Sequence, residues 1–373
     1  MRFEFSTAQR VVFGAGAVRE VTAAAAGMGS RPLVVTGSRG AAVAIEGPAF
    51  RVTGEPSVDL IRDGAEFARE ERCDVVVAIG GGSVIDAGKA LAALLTNSGE
   101  PLDYLEVIGR GQPLLHASAP MIAVPTTAGT GSEVTRNAVL ASPQRRVKAS
   151  LRAAGMLPRL AIVDPELTYE LPRAITASTG LDALTQLIEP YTGARPNPMT
   201  DLFCIEGIRR AASALPRAWE SGDREARREM AWASLLGGMS LANASLGAVH
   251  GFAAPIGGMF PAPHGAVCAA LLPHVIETNV EALRSRAPES PALARYAEVA
   301  AILTGKSGAT PEDGGRSIAM LCRRLEIPSL RTYGVTEADV PELVANASRA
   351  SSMKGNPIVL SETELRTILT RAL

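Results

Sequence analysis

Apolar positions in the first part of the chain gather in short unbroken runs: "LVVTG" (33–37), "VVVAIGGG" (75–82), "MIAVP" (121–125) and "LAIVD" (160–164). Each is rich in β-branched residues and stops at Gly, Pro or Asp. Strands covered on both faces are continuously apolar rather than alternating, so these runs predict buried parallel strands. Helical patterns lie between them, at 59–70 and 84–96 among others. Such βα alternation predicts a doubly wound parallel sheet.

Beyond "IVDPEL" the period changes. Apolar positions recur at helical spacing over 174–193, 200–221, 224–244, 263–280, 290–304, 336–350 and 361–372, and no strand pattern stands out from about 170 onward. The expectation is an N-terminal α/β domain over 1–168 and a C-terminal all-helical domain over 169–373. Pro165 and Pro172 punctuate the boundary. A loose polar loop is expected around 284–296, in "LRSRAPESPALARY".

A length of 373 residues fits two cores better than one. Formal net charge is -1, from 37 basic and 38 acidic residues, so neither nucleic acid nor an anionic membrane is an expected partner. Four scattered cysteines, Cys73, Cys204, Cys268 and Cys322, form no CxxC pair and read as reduced thiols. The first residues carry no apolar signal core, and apolar runs break before the ~20 residues that a membrane span needs. A cytoplasmic protein is expected.

Two loops carry chemistry. "AIGGGSVIDAGKA" follows a strand and opens a helix. Gly80, Gly81 and Gly82 let backbone approach a ligand, and Ser83 can donate to an oxygen. A helix N-terminus with free N–H groups is a seat for phosphate. The run is neither a GxGxxG fingerprint nor a Walker A loop, and "FGAGAVRE" (13–20) lacks the last glycine of the former. "VPTTAGTGSEVT" (124–135) is a second strand-to-loop stretch dense in Gly, Thr and Ser. Two such loops at strand carboxyl ends fit a dinucleotide better than one phosphate.

The motifs "GGGSVIDAGKA", "PTTAGTGSEVT", "IVDPELT", "TGLDALTQLIEPY", "NPMTD", "GAVHGFAAPIGG" and "PHGAVCAALLPHVIE" resemble the iron-containing (group III) alcohol dehydrogenase family, in order over at least residues 10 to 280. The resemblance implies a dinucleotide-binding α/β domain, a helical metal and substrate domain, a cleft between them, and a homodimer. It implies an NAD(P)-dependent oxidoreductase, an alcohol dehydrogenase or carbonyl reductase. Hydride would pass between the nicotinamide and a small alcohol, aldehyde or keto acid. By position, Gly81, Gly82 and Ser83 would hold the pyrophosphate, with Asp86 near the nicotinamide. Thr126, Thr127, Thr130 and Ser132 would line the cofactor, and Lys148 would sit near its ribose or phosphates. Gly37 stands where NAD-preferring relatives carry an acid, beside Ser38 and Arg39. An acid there repels a 2′-phosphate, and its absence leans the expectation toward NADP or use of both cofactors.

The family's usual ligand set is an aspartate, a histidine four residues later and two further histidines. Asp182, His250 and His264 match three of these, and Gln186 replaces the other histidine. Ala254 stands where many relatives place another pocket histidine. One carboxylate and two imidazoles suffice for a catalytic zinc with an open fourth place, and equally compose the two-His, one-carboxylate iron site. Iron and zinc both stay open. The expected catalytic set is Asp86, Gln186, His250 and His264. In a metal-independent alternative, like the maleylacetate reductases, Gln186 and the histidines polarise the carbonyl by hydrogen bonds. Two further alternatives are a dehydroquinate synthase-like lyase, disfavoured by the sparse Lys and Arg near Asp182 and His250, and a non-catalytic nucleotide-binding protein.

Overall fold

The computed structural model describes residues 2–38, 40 and 42–373, and the chain divides into two compact units. One comprises Ser6–Thr127 and Gly131–Glu170. In order it contains β1 (Arg10–Phe13), α1 (Val21–Ala26), β2 (Pro32–Thr36), β3 (Ala49–Arg51), α2 (Val58–Glu70), β4 (Val75–Gly80), α3 (Gly82–Thr96), α4 (Pro101–Tyr104), β5 (Met121–Pro125), β6 (Asn137–Ser142), β7 (Val147–Arg152) and β8 (Leu160–Val163). Six strands form a wholly parallel sheet in the order β1-β8-β5-β4-β2-β3, while β6 and β7 form an antiparallel hairpin.

The buried runs therefore become the central strands. All six residues of β4 are buried between β2 and β5, as a strand covered on both faces must be. Edge strands β1 and β3 are short and largely uncovered, so they lack the continuous apolar signal and escape the sequence pattern. The run 75–82 overshoots: β4 ends at Gly80 and α3 already starts at Gly82. A Cβ on Gly80 would lie 2.5 Å from Val84, and one on Gly88 2.6 Å from Ala78. Both glycines thus let α3 turn sharply and lie close on the sheet.

The second unit is chiefly Leu171–Leu373, with Ala128–Thr130 joining it. It contains α5 (Arg173–Thr192), α6 (Pro198–Glu220), α7 (Arg224–Asn243), α8 (Ala248–Met259), α9 (His264–Arg286), α10 (Pro291–Thr304), α11 (Pro311–Arg324), α12 (Val340–Arg349) and α13 (Glu362–Ala372). Among the described residues no strand occurs here, in agreement with the helical periodicity. Two helices were not apparent in the pattern. α8 holds Gly251, Pro255, Gly257 and Gly258, which mask its period; α11 holds paired glycines at 314 and 315. The loose loop expected at 284–296 is instead the end of α9, a short turn, and the start of α10. Ser290 caps α10 and Pro291 occupies its first turn, where a missing N–H is harmless.

α5 is buried on every side from Gly180 to Thr192, and α9 is nearly so. α9 is long and apolar enough to cross a membrane, yet 83% of its most apolar stretch is buried in the protein, which makes it a core helix. All four cysteines are free thiols, three of them buried.

Candidate metal centre

α5 presents Asp182, Gln186 and Glu189 at spacings of four and three, which puts all three carboxylate or amide side chains on one helix face. His250 sits in the first turn of α8, and His264 opens α9 behind Pro263. Two helix starts thus bring imidazoles to the buried face of a third helix. Nε2 of His250 lies 3.6 Å and Nε2 of His264 3.7 Å from Oδ1 of Asp182. Cys268, one turn along α9 from His264, completes the group: its Sγ is 4.0 Å from Nε2 of His250 and 3.7 Å from that of His264. One ligand atom from each of these four residues lies within 4.8 Å of those of the other three.

Asp182 is only 1% exposed, yet neither of its carboxylate oxygens has a hydrogen-bond partner. Buried polar groups are almost always paired, because leaving one unpaired costs about 1–3 kcal/mol and more when it is charged. Separations of 3.6 and 3.7 Å are too long for hydrogen bonds between these nitrogens and the carboxylate, but suit atoms that share a cation. The residues present therefore fit a divalent metal, as the carboxylate–imidazole composition anticipates.

The surroundings prepare His250 for such a role. Its Nδ1–H donates to Oε2 of Glu189 over 2.6 Å, which leaves Nε2 facing Asp182. The other oxygen of Glu189 accepts from the Val249 backbone N–H over 2.7 Å. A carboxylate behind a ligating histidine fixes its tautomer and raises its basicity. Gly247 makes room for this: a Cβ there would stand 2.9 Å from Glu189 and 3.2 Å from Asn356. Asn356, just before Pro357, accepts from the Ala248 N–H and pairs with Asn279, pinning the start of α8.

Charge in the cluster follows from these contacts. Burial alone would lower the basicity of both histidines, but their neighbours outweigh it. Cys268, Glu189 and Asp182 push His250 well above its ordinary value; Cys268 and Asp182 push His264 up to about 9. Burial likewise opposes ionisation of Asp182, but His264 and His250 hold its carboxyl below the usual range. Metal uptake here must displace protons.

Gln186 is buried, and its Oε1 has no partner. Gly237 on α7 faces it; a Cβ there would come within 3.5 Å of that oxygen. His274 remains outside the cluster, 3.9 Å from Glu277, and burial pushes it below its ordinary value.

In the α/β unit the expected cofactor residues collect at one sheet edge. Thr36 pairs with Ile79 and Gly80 with Pro125, so β2, β4 and β5 end level. Gly37 and Ser38, Gly81 to Ser83, and Thr126 and Thr127 follow those three ends. β2 and β4 flank the point where the chain order reverses, the usual ligand-binding position in such sheets. Gly81 is the N-cap of α3 and offers no side-chain cap, so the N–H groups of Gly82 and Ser83 have no intrahelical acceptor. Arg39 lies outside the described residues. Thr130 belongs with the helical unit.

Asp86 and Lys148 are engaged within the protein. Asp86 accepts from Ser132 Oγ (2.5 Å), from the Val139 N–H (2.9 Å) and from the fully buried Lys89 (3.0 Å). Lys89 also donates to Thr135 and to the Ser132 carbonyl. This network joins α3 to the "GSEVT" loop. Lys148, on β7, is largely buried and pairs with Glu55 at 3.2 Å, so it is not a solvated surface charge.

Sequence reasoning missed Cys268, Glu189 and Lys89. The i,i+4 spacing of His264 and Cys268 was a usable signal, the same one that drew attention to Asp182 and Gln186. Glu189 carried no such mark; only the approach of α8 to α5 gives it a role.

Comparison with known proteins agrees with the fold. The model of "Iron-containing alcohol dehydrogenase" matches residues 8–165, and that of "Fe-containing alcohol dehydrogenase family, C-terminal" matches 176–373. Alcohol dehydrogenase 4 of Schizosaccharomyces pombe is 39% identical over 324 residues, covering 86% of this chain and 74% of its own. 1,3-Propanediol dehydrogenase of Citrobacter freundii is 38% identical over 328 residues, covering 86% and 81%. A crystal structure of 1,3-propanediol oxidoreductase superposes with a TM-score of 0.90 at 34% identity, over the whole of both chains. The chain belongs to the iron-containing alcohol dehydrogenase family and is an oxidoreductase of the alcohol dehydrogenase type.

Proposed function

We propose that this protein reversibly transfers hydride between NAD(P) and a small alcohol or aldehyde, with a divalent metal held by Asp182, His250 and His264. The observation that carries the reading is the buried Asp182 carboxylate, without a hydrogen-bond partner and with two imidazole nitrogens facing it at 3.6 and 3.7 Å. A metal held there supplies Lewis acidity toward a substrate oxygen as negative charge develops on it. Bound nicotinamide supplies or accepts the hydride.

The chain's own residues do the rest. Glu189 holds the His250 ring by its Nδ1–H, so Nε2 stays directed at the cluster. Asp182 balances the positive charge gathered there. In the α/β unit the uncapped start of α3 offers backbone N–H groups to the pyrophosphate, with Gly81 and Gly82 allowing close approach. Asp86 and Lys89 act by holding Ser132 and its loop against α3. Gly37 places no carboxylate at the end of β2, which supports acceptance of the 2′-phosphate of NADP as well as the free ribose of NAD. The propanediol dehydrogenase relative is named for a three-carbon diol, and short hydroxyl or aldehyde substrates are the class proposed here.

The metal-independent alternative leaves Asp182 without a hydrogen bond and gives Cys268 no part, so the metal reading is preferred. It is tested by element analysis of purified protein together with oxidation of NADH and NADPH over a panel of short aldehydes. A stoichiometric divalent metal and metal-dependent turnover are expected, both lost in His250→Ala. Undiminished aldehyde reduction by His250→Ala would sink the metal-centred reading.

A further inference from the structure

The geometry points to Cys268 as the fourth protein ligand of this centre, in the role left vacant by Gln186. The inference rests on the metal reading above and adds to it a thiolate, and with it a preference among metals. Cys268 is fully buried and stands on the same face of α9 as His264, one turn on. Its Sγ lies 3.7 and 4.0 Å from the two Nε2 atoms, and within 4.8 Å of the Asp182 carboxylate. Four ligand atoms at bond lengths of about 2.0–2.3 Å around a zinc stand roughly 3.3–3.6 Å apart, so the observed separations of 3.6–4.0 Å need only a small contraction, and expansion to five-coordination keeps a place for a substrate oxygen.

An independent observation makes this more than a nearby thiol. Both oxygens of the buried Asp182 lack partners, and the same small space receives the two imidazoles and the sulfur. A thiol with only a packing role would not be expected to complete a four-atom shell around an unpaired carboxylate. Gln186 has the opposite character: its amide oxygen is neutral, a poorer donor than imidazole, and lies beside Gly237. Exchange of histidine for glutamine on α5 is thus compensated from α9.

The consequence concerns metal choice. An aspartate with three imidazoles is hard to intermediate and suits iron(II). An aspartate, two imidazoles and a thiolate is softer and favours zinc, with cobalt(II) as a faithful spectroscopic substitute. Binding releases the thiol proton and forms the metal–sulfur bond, with no change of oxidation state.

Cobalt(II) titration of the chelator-treated full chain under exclusion of oxygen reads the ligand directly. Wild-type protein should develop visible ligand-field bands and a strong near-ultraviolet thiolate-to-cobalt band. Cys268→Ser should keep the visible bands but lose the near-ultraviolet one, and should bind zinc at least about tenfold more weakly. Gln186→Ala should keep both. Visible bands without a thiolate band in wild type, or a thiolate band that persists in Cys268→Ser, would overturn the inference and leave the metal reading standing. Absence of any cobalt or zinc uptake by wild type would overturn both. Should the variant fold poorly by circular dichroism, X-ray absorption of zinc-loaded wild type decides alone: a sulfur shell at about 2.3 Å supports the ligand, and a shell of nitrogen and oxygen only refutes it.

Discussion

Two buried polar clusters, one in each unit, differ in a way that separates scaffold from site. Around Lys89 the polar groups answer one another. The ammonium reaches Asp86, Thr135 and a carbonyl, and Asp86 accepts from Ser132 and Val139 as well. Around Asp182 they do not: two carboxylate oxygens and the Gln186 amide oxygen are sealed from water without partners. A buried network that closes on itself rigidifies a fold, whereas one left open keeps unmet bonding capacity for something else. Buried charge is thus evidence for a ligand only where pairing is incomplete.

The contrast can be broken at three points. The largest effect on stability is expected from Lys89→Ala, which removes the buried cation paired with Asp86 on α3. Breaking a buried pair in this way costs about 3–5 kcal/mol, to be read from urea unfolding. A loss below about 1 kcal/mol would mean that the Lys89 network is not a closed scaffold.

Glu133 tests the same network by pH. Its carboxyl is fully buried, and burial, offset only partly by its own backbone N–H and by Lys89, raises it to about 7. Between the ordinary value of 4.5 and about 7 the folded protein therefore binds more protons than the unfolded chain. Stability contributed by this group must fall as pH rises through that window. Glu133→Gln should flatten the fall, by up to about 3 kcal/mol in all, and unfolding midpoints at pH 5 and 7.5 would show it. Equal slopes in wild type and variant would count against the assignment.

The smallest expected effect falls on the open cluster. Glu189→Gln keeps an acceptor behind His250 but removes the charge. Metal affinity should drop roughly 10–100-fold, measured by competition with a chromogenic chelator, while the unfolding midpoint of metal-free protein changes little. An unchanged affinity would show that Glu189 serves the fold alone.

Local patterns carried much of this molecule. The central strands announced themselves as apolar runs because both of their faces are covered, and "GGGSVIDAGKA" marked a strand-to-helix turn from its glycines alone. The edge strands Arg10–Phe13 and Ala49–Arg51 did not, since a half-exposed strand of three or four residues has no pattern to show. α8 was hidden by its own glycines and proline although it carries His250. Those small residues suit close helix packing better than they suit helix propensity: a Cβ on Gly251 would lie 2.8 Å from Met353.

What the sequence determined by itself was the division between a βα-alternating part and a helical part, the two glycine-rich loops that follow strand ends, and the trio Asp182, His250 and His264. Each is written in spacing along the chain or in motifs a few residues long. Tertiary structure decided which polar groups are paired. It held Asp86 and Lys89 against Ser132 and Thr135, set Glu189 behind His250 and brought Cys268 beside His250 and His264. The last two outcomes depend on how α5, α8 and α9 approach one another, and contacts between residues 60 to 90 positions apart leave no period in a sequence.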